Sequence, residues 1–265
     1  MTGNWTNTNP TLDQALSDDY NYGSWQQCSL MGDASSTADL GLASGGGGIT
    51  MHRMSNPWTV PSVSSPVIGY CVTKMDLLTY NNNTGIMGGL EFLLGTLTVS
   101  GNSFSAGPGM PIRTVRGTSL QLGSMMAFAV VKTSLGGATT PTLTFTYTNQ
   151  SGTTGQTGTI VLPTNPTVNS AFLLNYRLAS GDTGIQAVTN MSISAGTSGV
   201  INIYGFMVMS MGGQSTASGG SGQVLETQST PLPKILCVPN DTIAFYVMGN
   251  GGSQFMCHLT ATPET

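Results

Sequence analysis

The stretch Thr144–Leu162, TFTYTNQSGTTGQTGTIVL, decides how this chain is read. Phe145 and Tyr147 alternate with threonines on one side, Leu143 extends the pattern backward, and Ile160 and Leu162 alternate on the other side. That spacing predicts two strands, each with one apolar face, joined through Asn149–Gly158. A ten-residue tip is longer than a tight hairpin needs, so it presents a loop as well as reversing the chain. The loop offers amides, hydroxyls and glycines, with no base, acid or metal ligand. Gly152, Gly155 and Gly158 fit neither the dinucleotide fingerprint nor the phosphate loop, because no helix follows and no lysine is present.

Outward from this hairpin the pattern repeats as strand, turn, strand. Strands are predicted over Val67–Leu78, Leu90–Val99, Met125–Thr133, Thr142–Thr148, Gly158–Leu162, Ala171–Tyr176, Ile185–Ser194, Val200–Met209, Ile235–Val238, Thr242–Met248 and Phe255–Ala261. Turn signals stand between them, among them NNNTG, GNS, LGGAT, SGDTG, PND and GNGG. No segment has the apolar period and caps of an amphipathic helix. Short strands at close spacing without helical crossovers predict an all-β protein, an antiparallel β-sandwich of jelly-roll type occupying residues 61–265. The low-complexity loop Gly212–Gln223, GGQSTASGGSGQ, reads as a mobile insertion.

Residues 1–60 show neither period and contain SGGGG at Ser44–Gly48, so an extended N-terminal arm is expected there. The arm is aromatic and acidic. It holds Trp5, Tyr20, Tyr22, Trp25 and Trp58, and Asp13, Asp18, Asp19, Asp33 and Asp39 all precede the first base at Arg53. A free linker is rarely so aromatic. The rings either fold back on their own domain or anchor to a partner subunit, and Trp5, Tyr20, Tyr22 and Trp25 are the candidate partner-binding residues.

Charged residues make up only 7% of the 265-residue chain and hydrophobic residues 39%, so Gly, Ser, Thr and Asn supply most of the surface polarity. The seven bases are scattered and the net charge is −4, which excludes a phosphate-backbone partner and hence nucleic acid. Four cysteines, Cys28, Cys71, Cys237 and Cys257, lie far apart without zinc spacing and are expected to be reduced structural thiols, with no metal and no cofactor. The opening MTGNWTNTNP has neither a basic nor an apolar signal region, and the longest apolar run, Met125–Val131, is too short to span a bilayer, so no membrane is expected and synthesis in a reducing cytoplasm is.

Candidate chemistry is sparse. Asp182-Thr183-Gly184 has the form of an aspartic-protease loop, but Ala179-Ser180-Gly181 leads into it where an apolar strand is required, and the triplet occurs once. It reads as an Asp-containing turn, and Asp182→Asn is expected to cost little stability. Glu91 and Asp76 could form a glycosidase pair, although Glu91 could equally face solvent on an alternating strand. His52 and His258 have no nucleophile elbow to serve. Met207, Met209 and Met211 share a strand face and read as core or subunit interface. The expectation is a protein that is not an enzyme.

The pieces Tyr147–Gly152, Gly181–Gly184 and Val188–Ser194 resemble a recurring segment of tailed-bacteriophage virion proteins: a Tyr-Thr-Asn-Gln-x-Gly hairpin, a Gly-Asp-x-Gly turn and a following strand. The resemblance covers about a quarter of the chain and departs at Ser151 and Gln156, where such relatives often carry charge. It implies a structural component of a virion, made in the host bacterial cytoplasm. The expected role is a head decoration or cement protein that binds the major capsid protein or other virion proteins, as a homo-oligomer with a trimer favoured. A collar, tail or fibre component, or a glycan-binding adhesin, is the alternative.

Overall fold

The computed structural model describes residues 51–53, 57–60, 62–79, 84–115, 118–121, 126–137, 140–164, 166–214, 235–249 and 255–264. The arm residues Trp5, Tyr20, Tyr22 and Trp25, and the loop beyond Gln214, lie outside the described residues. Within them the chain is all-β and antiparallel: sixteen strands, two short 3-10 turns and no α-helix. The chain divides into two compact units, Arg53–Glu91 with Val208–Thr265, and Phe92–Met207 with the residues just before Arg53.

All eleven predicted strands are present. They are β3 (Gly69–Thr79), β4 (Thr84–Thr98), β8 (Met126–Thr133), β9 (Thr142–Asn149), β10 (Gln156–Val161), β11 (Ser170–Leu173), β12 (Ile185–Ile193), β13 (Val200–Gln214), β14 (Ile235–Cys237), β15 (Thr242–Gly249) and β16 (Phe255–Glu264). Five more are short: β1 (Met51–Arg53), β2 (Trp58–Thr59), β5 (Ser103–Ala106), β6 (Ile112–Val115) and β7 (Thr118–Gln121). β1 and β2 fall inside the stretch read as an aperiodic arm. Two or three residues cannot display a period, which is why the sequence hides them.

The unit Phe92–Met207 is a β-sandwich. One sheet follows the order β1-β11-β8-β13-β4-β5 and the other β10-β9-β12. A single core joins them: Leu94 and Leu97 of β4, Ala127, Ala129 and Val131 of β8, Phe172 of β11 and Ile201 and Ile203 of β13 pack with Leu143, Phe145, Tyr147, Ile160, Val188 and Met191 of the smaller sheet. β9 alternates as its sequence dictates, with Leu143, Phe145 and Tyr147 fully buried between threonines. β8 differs, since Ala127 to Val131 are all buried, and its second face carries Phe128 edge-on to Phe206.

Other segments lie against the two outer strands of the smaller sheet. At β12, Met110 donates its amide to the Gln186 carbonyl, and Ile193 donates its own to Asn102 Oδ1. At β10, the Arg177 carbonyl of the 3-10 turn Leu174–Arg177 approaches so closely that a Cβ on Gly158 would sit 2.3 Å from it.

In the other unit, β3 is flanked by β14 and β16, and β15 pairs with β2 and with the Thr84–Glu91 half of β4. Ile243 to Tyr246 of β15 are wholly buried, and Trp58 stands edge-on to Phe245 with ring centroids 4.7 Å apart. For Trp58 the choice between folding back and reaching outward is settled, as the ring lies in the core of its own unit. Cys71 and Cys237 are buried thiols outside any disulfide, as expected of structural cysteines.

Candidate functional site

The opening hairpin and the Gly-Asp turn form one hydrogen-bonded body. β10 begins at Gln156, so the tip is Gln150–Gly155, shorter than the pattern suggested. Tyr147, fully buried at the end of β9, donates its hydroxyl to Asp182 Oδ2 at 2.6 Å, and the Tyr147 hydroxyl oxygen accepts the Ala179 amide at 2.8 Å. Asn149 Nδ2 donates to Asp182 Oδ1 at 2.7 Å, while Asn149 Oδ1 accepts the amides of Ser151 and Thr153. Gln150 completes the clip: its Oε1 accepts the Thr183 amide at 2.9 Å, and its carbonyl accepts Gln186 Nε2 at 2.8 Å.

This arrangement has a reason in each residue. The turn Ala179–Asp182 closes through the Asp182 amide and the Ala179 carbonyl, with Gly181 at φ 90° where a side chain would strain. Gly152 and Gly155, at φ 81° and 77°, serve the same need in the tip and face open space. Burial, and then the bond to the Asp182 carboxylate, push the Tyr147 phenol up to about 12, so it remains a donor through the ordinary pH range.

Asp182 is therefore an element of a structural clip between two loops, and the expectation that its replacement is cheap needs correcting. Tyr147 and Asn149 use different oxygens of Asp182, and an asparagine offers a donating NH2 in place of one of them. Asp182→Asn is expected to cost about 1–3 kcal/mol, because hydrogen bonds to a charged acceptor are worth more than neutral ones and two donors must be resatisfied. Urea unfolding of Asp182→Asn, Tyr147→Phe and the double variant measures it. A loss below about 0.3 kcal/mol, or strict additivity of the two changes, contradicts the clip.

Glu91 is the second expectation the structure corrects. It is 4% exposed and does not face solvent. Arg53 Nε donates to its Oε1 at 2.7 Å and Arg53 Nη2 to its Oε2 at 2.5 Å, with the Tyr246 hydroxyl donating to Oε1 at 2.6 Å. Both carboxylate oxygens are held by a two-pronged guanidinium contact inside the unit. The sequence places these partners 38 and 155 residues from Glu91, a separation that no local pattern encodes.

Asp241 and Glu264 also accept hydrogen bonds. Asp241 Oδ2 accepts the Val238 amide at 2.8 Å in the turn before β15, and Glu264 Oε2 accepts from the Cys71 thiol at 3.5 Å. Asp76 and His258 stand opposite each other in the β3–β16 ladder. Among the described residues no group of three or more His, Cys, Asp or Glu side chains is placed to hold a metal, and no helix is long and apolar enough to cross a membrane. Comparison of the chain with protein-family profiles, with curated proteins and with solved structures gave no match.

Proposed function

We propose that this chain is a non-enzymatic structural protein of a bacteriophage virion, binding and stabilising the capsid lattice as a decoration or cement protein. The observation that carries the reading is the use made of the carboxylates: Glu91, Asp182, Asp241 and Glu264 each accept hydrogen bonds that hold strands or turns together. Chemistry that moves protons needs a carboxylate poised for a substrate, whereas a lattice protein needs rigid, weakly charged surface. The hairpin and Gly-Asp turn that carry the resemblance to virion proteins are also one physical unit here, so their co-occurrence in a sequence has a structural cause. That supports the same reading, with a homo-oligomer, a trimer favoured, as the attached form and the major capsid protein as its partner.

Quantitative mass spectrometry of purified particles tests it. A decoration role gives hundreds of copies per particle, a collar, tail or fibre role gives roughly a dozen to a few dozen, and absence from the particle rejects the proposal. Glycan-array binding by the isolated protein would favour the adhesin. Deletion of residues 1–39 is expected to leave a soluble folded protein that no longer attaches; full occupancy by the truncated protein removes the arm from the attachment mechanism.

A further inference from the structure

We draw no further inference here: the strongest candidate, the buried side-chain cluster of Arg53 on β1, Glu91 on β4 and Tyr246 on β15, belongs to the interactions already described, because both oxygens of its carboxylate are taken up by its own guanidinium and phenol.

Discussion

Glu91→Gln is expected to destabilise the protein by about 3–5 kcal/mol, the range measured when one member of a buried ion pair is removed. The substitution keeps the shape of the side chain, so the loss reports charge and not volume. Arg53 would remain 4% exposed without the carboxylate that neutralises it, and Tyr246 would donate to a weaker acceptor. The pair itself is not thereby a large net contributor, since burying two ions costs several kcal/mol before their attraction is counted. The double variant Arg53→Met with Glu91→Leu separates these effects. It is expected to recover most of the stability lost in Glu91→Gln, and urea unfolding monitored by circular dichroism reads both. A Glu91→Gln variant within about 1 kcal/mol of the wild type would mean that water reaches the guanidinium and that the site is not the low-dielectric environment its burial implies.

This pair also marks the limit of what the sequence discloses. Leu143, Phe145 and Tyr147, or Ile201 and Ile203, announce strands because alternation is local and their faces are inherited from neighbours two residues away. The same logic found every strand of four or more residues except β5, β6 and β7, whose Ser-Phe-Ser-Ala and neighbouring segments are too short to alternate visibly. It misses the first six residues of β4, because NNNTG reads as a turn signal running into Gly85, although in the structure Thr84–Gly89 pair with Ala244–Gly249 of β15. The burial of Glu91 is hidden for a different reason. An alternating pattern assigns a residue to one face but cannot say that the face is covered, and the cover comes from Arg53 and Tyr246, which are remote in sequence. The clip lies between these cases: Asn149, Gln150 and Asp182 were recognisable as turn residues, while their mutual bonding depends on the β9–β12 register. A jelly-roll order of connections is likewise a property of long-range pairing that turn residues do not specify.

Gly158→Ala is the second substitution with a large expected effect, and it distinguishes two uses of glycine within one motif. Gly152, Gly155 and Gly158 are evenly spaced and look equivalent. Yet Gly152 and Gly155 have positive φ and open space around them, so a methyl group there meets only backbone strain, about 1–2 kcal/mol. Gly158 lies in β10 opposite Phe145, and a Cβ on it would stand 2.3 Å from the Arg177 carbonyl oxygen and 2.4 Å from the Phe145 ring. The ring cannot retreat without leaving the core it shares with Tyr147 and Val188, and the carbonyl belongs to backbone packed against β10. One of the two must move, at the cost that overpacking a filled core carries, about 3 kcal/mol, and Gly158→Val should cost more. Hydrogen exchange in the native state is expected to show lost protection in β9 and β10 and at Arg177, with the β3–β16 ladder of the other unit unchanged. If Gly158→Ala is no more harmful than Gly152→Ala, the close approach of the 3-10 turn to β10 is not a feature of the protein in solution.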